Sequence, residues 1–155
     1  MKTMHRIAAQ AKQKRFDDLP KFWRPKLQAD QQIDAKVTHW DLVGRFTSGA
    51  ATVEDLWDWI ETGFTYSQMM HLLAKDGLEF TYEAQAALAE QLGIYEAVIA
   101  RYRTTGRVGF NGPQLQIARA AAYIMDGLIE LDRHGIAVQA AQWSIEQMAK
   151  IRREQ

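Results

Sequence analysis

Apolar residues recur three and four positions apart along almost the whole chain, and nowhere alternate with polar ones for long enough to build a strand. That spacing restricts the chain to helices, because a helix buries a stripe with a period of 3.6 whereas a sheet needs a period of two. The expected fold is all-α: a single-domain bundle or orthogonal array of five to six helices behind a basic N-terminal arm. At 155 residues, 47% of them apolar, the chain is long enough to bury a core without metal or disulfide support. It contains no cysteine, which removes disulfides, thiolate metal sites and cysteine nucleophiles from consideration.

Residues 1–26 read as the arm and 27–155 as the helical domain. In the arm, Met4, Ile7, Ala8 and Ala11 make a short apolar stripe, and Pro20 and Pro25 then push the residues before them out of helical geometry. A helix is predicted over about residues 27–47, burying Ile33, Val37 and Trp40 and stopping at Gly49. Thr52 is an N-cap with Glu54 and Asp55 in the first turn, and Val53, Leu56, Trp57 and Ile60 form a buried stripe that Gly63 ends. Thr65, with Gln68 three residues on, opens another helix that Gly77 closes. Thr81 starts a long helix in which Leu88, Leu92, Tyr95, Ile99 and Tyr102 make a heptad-like seam, a surface that would also suit a homodimer. Gly93 within it implies a bend or a close helix crossing. Gly112 as N-cap and Pro113 in the first turn begin a helix to about His134, and a last helix covers about residues 136–151.

A net charge of zero hides an uneven distribution. Residues 1–26 carry eight Lys/Arg against two Asp/Glu, residues 27–100 three against twelve, and residues 101–155 eight against five. The resulting balances of +6, −9 and +3 suggest two faces, or an arm that folds back on its own body. No apolar run approaches the length of a membrane span, and the basic N-terminus lacks the apolar core of a secretory signal. No membrane partner is expected, and the expected location is cytoplasmic.

The stretch "RYRTTGRVGFNGPQ", residues 101–114, concentrates arginine and glycine between two helices. A phosphate-binding P-loop needs a strand before it and a lysine within it, and both are missing. The spacing fits a helix–loop–helix joint, with Arg101 and Arg103 complementing a helix C-terminus and Gly106 as its left-handed cap. Arg103 and Arg107 beside the next helix start leave an anion or nucleic-acid contact as the alternative. The stretch from Asp55 to Leu73 has the outline of a helical hairpin, but its second helix carries cations only at Lys75, which argues against reading DNA.

Glu54, Asp58 and Glu61 share one helical face without a histidine at metal-ligand spacing, which describes a solvated acidic face. His5, His39, His71 and His134 are isolated, and no serine lies in a nucleophile-elbow context. No cofactor, metal or catalytic residue is therefore expected, and the chain does not read as an enzyme. Trp59 falls on the opposite side from the Trp57 stripe, where it is either packed under a neighbouring helix or an anchor for a partner. Phe22 and Trp23 pose the same choice. The basic arm, with Lys12, Lys14, Arg15, Lys21, Arg24 and Lys26, is the best nucleic-acid candidate, alongside Arg101, Arg103 and Arg107.

Taken together, "SGAATVEDLWDWIETGFTYSQM" and "IARYRTTGRVGFNGPQ" resemble small all-helical accessory proteins of bacterial phages and plasmids. The resemblance implies a regulatory or interaction role and carries over no site residue. The leading expectation is a non-enzymatic module that binds a protein through Trp59, Glu54, Asp58 and Glu61, with Phe22 and Trp23 as a second contact. The alternative is a nucleic-acid-binding regulator.

Overall fold

The computed structural model describes Pro20, Lys21, Arg24 and residues 26–154. Among these, six α-helices follow in order: α1 (Ala29–Ser48), α2 (Val53–Lys75), α3 (Tyr82–Gly93), α4 (Tyr95–Thr105), α5 (Gly112–Glu130) and α6 (Ile136–Arg153). The all-α helical domain is as the periodicity predicts. None of these helices is long and apolar enough to cross a membrane.

Helix α2 is the axis of the bundle. It packs most extensively on α6 and also meets α3, α1 and α5. Its start follows the sequence: the Thr52 hydroxyl accepts from Asp55 N at 3.2 Å while Asp55 Oδ2 accepts from Thr52 N at 2.8 Å. It does not stop at Gly63, and there is no helical hairpin between Asp55 and Leu73; a single helix runs from Val53 to Lys75. Gly63 serves packing instead, since a Cβ there would lie 2.1 Å from Gln91 Oε1 on α3. Gln91 is buried, and its Nε2 donates to the Trp59 carbonyl at 3.0 Å. Facing α6, α2 buries Thr65, whose hydroxyl donates to its own helix at Glu61 O, and Ser144 of α6 donates to the same carbonyl at 3.0 Å. Hydroxyls satisfied in this way sit in a dry contact at little cost, and Ala137, Ala140 and Ala141 of α6 let the helices approach closely.

Helix α1 turns a different face inward from the one its spacing suggested. Ala35, His39, Leu42, Val43 and Phe46 are buried, whereas Ile33 and Val37 are each 61% exposed. The inward face is selected by a polar clamp that the apolar spacing does not encode. His39 Nε2 lies 2.7 Å from Asp126 Oδ1 on α5, and Trp40 Nε1 donates to Asp126 Oδ2 at 2.9 Å. The carboxylate accepts, so Nε2 carries the proton and Nδ1 is left to accept from the Tyr66 hydroxyl at 3.4 Å. Tyr123 closes over the clamp, edge-on to Trp40 at 4.9 Å.

Burial lowers the His39 pKa from its usual 6.5, with Asp126 opposing and Lys36 adding to the effect. The folded state therefore resists a proton that the unfolded chain accepts below about pH 6.5. This part of the stability is intact above that pH, declines as the pH falls through it, and levels off once folded His39 also protonates. Urea midpoints measured between pH 7.5 and 5 are expected to fall more steeply in the wild type than in His39→Gln. Equal slopes would contradict this assignment.

The long helix predicted from Thr81 is two helices. The break comes at Gly93 and Ile94, with Ile94 buried between α3 and α4. Of the two roles open to Gly93, the bend is the one taken: a Cβ there would meet nothing within 4 Å, so no helix crosses closely. The seam is only partly spent inside the fold: Leu88 is buried and Tyr95 and Ile99 pack against the core, whereas Leu92 is half-buried and Tyr102 is 38% exposed. The α4–α5 joint forms as expected. Gly106 adopts φ 68° and its N–H returns to Tyr102 O at 2.7 Å. The cap of α5 is Asn111 rather than Gly112: its Oδ1 accepts from Gln114 N at 2.9 Å. Helix α5 ends at Glu130, short of His134, because Asp132 is needed elsewhere. Gly135, with φ 70°, offers α6 no capping side chain. Asp132 supplies it from the preceding turn, with Oδ1 accepting from Ala137 N at 2.9 Å and Oδ2 from Leu27 N at 2.7 Å.

Candidate protein-binding groove

Phe22, Trp23, Lys12, Lys14 and Arg15 lie outside the described residues. The remaining candidates separate by burial. Trp59 has no exposed surface and is no partner anchor; its ring lies 6.4 Å from Phe46 and 6.0 Å from Phe110, beneath a stacked pair of phenyl rings 4.0 Å apart. Trp57, expected in the core, is instead half-buried with the Arg152 guanidinium 5.8 Å above its ring. Glu61 is also buried, 3% exposed, and drops out of the acidic face.

Glu54 and Asp58 remain at the surface, and the structure gives them partners the sequence did not suggest. They line a cleft of about 380 Å³ between α1 and α2, together with Val37, Asp41, Arg45 and Asp55. Arg45 bridges its two sides, donating to Asp41 Oδ2 at 3.1 Å and to Asp55 Oδ1 at 2.9 Å. Four carboxylates against one guanidinium leave the cleft at −3. Glu54 has a loose ion pair with Arg152 at 3.5 Å, with both side chains largely in solvent. Partial burial pushes the Asp58 carboxyl above its ordinary range, and the charges of Glu54, Glu61 and Asp55 add to the effect. One turn from Val37, exposed Ile33 extends the cleft into an apolar strip on α1, flanked by Asp34 and Asp41. The signal was in the sequence: Ile33 and Val37 sit among Asp30, Asp34 and Asp41, too acidic a neighbourhood for a buried face.

The cationic candidates are less concentrated. Arg101 is committed to its own loop, donating to Gly109 O at 2.6 Å and to Gln114 Oε1 at 3.1 Å. Arg103 and Arg107 are exposed. A cleft of about 810 Å³ beside them is bordered by the starts of α2 and α5. There the Asp55 and Gln114 side chains already accept from Thr52 N and Asn111 N, so capping has taken donors an anion would use. Lys21 is paired with Asp76 at the end of α2, where Arg133 Nε also binds at 2.8 Å, and Lys26 is exposed. Arg24 is half-buried.

No protein-family model, curated protein or solved structure matches this chain.

Proposed function

We propose that this protein is a non-enzymatic helical interaction module whose α1–α2 groove holds a basic amphipathic helix of a protein partner. The observation that supports this reading is the pairing of two features in one groove: an exposed aliphatic strip at Ile33 and Val37 and a cleft of charge −3 beside it. A helix with an apolar stripe and a cationic flank matches both, the stripe supplying area and the cations register and encounter rate. Control of that partner in a bacterial cytoplasm is the role implied by the likeness to phage and plasmid accessory proteins.

The test is fluorescence anisotropy with a labelled helical Lys/Leu peptide and full-length protein, at low and near-physiological salt. Glu54→Lys with Asp58→Lys is expected to weaken binding about tenfold, or roughly 1.4 kcal/mol, while the fold is kept and Tm falls by only a few degrees, the cost of a cation in the first turn of α2. An acidic peptide of equal length should not bind. Equal affinity of both proteins for the basic peptide would contradict the proposal. Tight, salt-sensitive binding of duplex nucleic acid instead would move the function to Arg103, Arg107 and the basic arm.

A further inference from the structure

The apolar strip on α1 does not end at Val37. Ile33, Val37, Trp40 and Gly44 follow one another at spacings of four, three and four, so they share the outer face of the helix. On α5, Arg119, Tyr123, Asp126 and Glu130 repeat that spacing. Contacts set the two stripes side by side and antiparallel: Lys36 pairs with Glu130 at 2.5 Å, and Trp40 donates to Asp126 and packs on Tyr123. Tyr123 is 68% exposed, so it joins Ile33, Val37 and half-buried Trp40 in one apolar patch. The patch is charged at its ends, with Asp34 and Glu130 at one and Arg45 and Arg119 at the other. Arg119 has no ion pair among the described residues. Gly44 and Gly127 are both exposed in the middle of their helices, neither has a positive φ, and a Cβ at either would meet nothing within 4 Å. Nothing within the chain calls for glycine there, although alanine would favour the helix.

This patch is complementary to itself. Under a half-turn about an axis crossing α1 between Thr38 and His39, Ile33 opposes Gly44 of the second copy and Val37 opposes Trp40. Asp34 then opposes Arg45 on one flank. On α5 the same half-turn sets Arg119 against Glu130 and Tyr123 against Asp126, because Trp40 lies level with the middle of that stripe. Aliphatic side chains meet glycine or an aromatic ring, and each cation meets a carboxylate.

We propose that this face pairs two copies of the chain, α1 on α1 and α5 on α5, as an antiparallel homodimer. Two stripes about 18 Å long bury roughly 500 Å² on each copy, which makes the dimer a transient one. It covers Ile33 and Val37, so a partner helix entering the α1–α2 groove displaces the second copy. That consequence rests on the groove reading above; the pairing itself does not.

Sedimentation velocity of the full-length protein between about 5 and 500 µM should follow a monomer–dimer equilibrium with a Kd on the order of 50 µM. Val37→Glu, Arg119→Glu and Glu130→Arg all change exposed side chains and should leave circular dichroism unchanged. Each is expected to weaken the dimer about tenfold or more. Arg119→Glu mixed with Glu130→Arg should dimerise again, because both α5 contacts of the mixed pair then join opposite charges. A wild type that stays monomeric at about 500 µM, a dimer indifferent to Val37→Glu, or a mixture no stronger than either variant alone would overturn the proposal. Titration with the basic Lys/Leu peptide separates the two readings. A monomeric wild type that binds the peptide overturns the dimer and keeps the groove; a dimer that ignores the peptide keeps the pairing and overturns the groove.

Discussion

Trp59→Ala is expected to destabilise the protein by about 3–5 kcal/mol, which lowers Tm by about 6–20 °C in a chain of this size. The indole is wholly buried against Phe46 and Phe110, so three elements lose contact together: α1, α2 and the loop before α5. Its removal leaves a cavity under the stacked phenyl pair that the surrounding helices fill only in part. Trp59→Phe is the control. The phenyl retains most of the apolar contact, and the indole Nε1 it removes has no hydrogen-bond partner among the described residues. Its cost is expected to stay under about 1.5 kcal/mol. Urea and thermal melts followed by circular dichroism measure both. An alanine variant that loses less than about 1 kcal/mol would place Trp59 outside the core. Because of this burial, lost partner capture in Trp59→Ala reports unfolding rather than contact, and the groove is better tested through Glu54 and Asp58.

Asp132→Ala is expected to cost about 2–4 kcal/mol. The side chain is 7% exposed and accepts from two backbone N–H groups that lie 110 residues apart in sequence, Leu27 and Ala137. Leu27 itself is 1% exposed, so its amide has no route to water once the carboxylate is gone. Asp132→Asn should lose nearly as much, because one of its two terminal atoms is an N–H₂ that cannot accept. Hydrogen exchange separates this from general loosening: the Leu27 and Ala137 amides should lose protection more than amides in the centre of α2. Uniform loss of protection along the chain would show that Asp132 is not the local tie.

What the sequence disclosed was local chemistry. Thr52 and Thr81 cap α2 and α3 as their hydroxyls require, accepting from Asp55 N and Ala84 N. Gly49 and Gly106 end their helices in left-handed geometry. The misreadings share one cause, namely that tertiary contacts override a one-dimensional pattern. Gly63 resembles a stop, but Gln91, 28 residues on, occupies the space where a side chain would be. Helix α2 is packed on several sides, so no single stripe identifies its buried face, and Trp59 and Glu61 are buried where Trp57 was expected. On α1, the choice between Ile33 and Val37 and their neighbours is settled by His39 and Asp126, 87 residues apart. Of the site, the sequence showed the carboxylates Glu54 and Asp58; the exposure of Ile33 and Val37 was signalled only by their acidic neighbours Asp30, Asp34 and Asp41, and their place beside Glu54 and Asp58 only by the packing of α1 on α2.

The central claim is that the α1–α2 groove is the binding surface, and amide chemical-shift mapping tests it most directly. Isotope-labelled full-length protein is titrated with the basic amphipathic peptide and, separately, with duplex DNA. The account predicts that the peptide shifts Ile33, Val37, Asp41, Glu54 and Asp58 together and saturably, with little change at Arg103 and Arg107. Shifts confined to the α4–α5 loop, or a groove silent at saturating peptide, would contradict it.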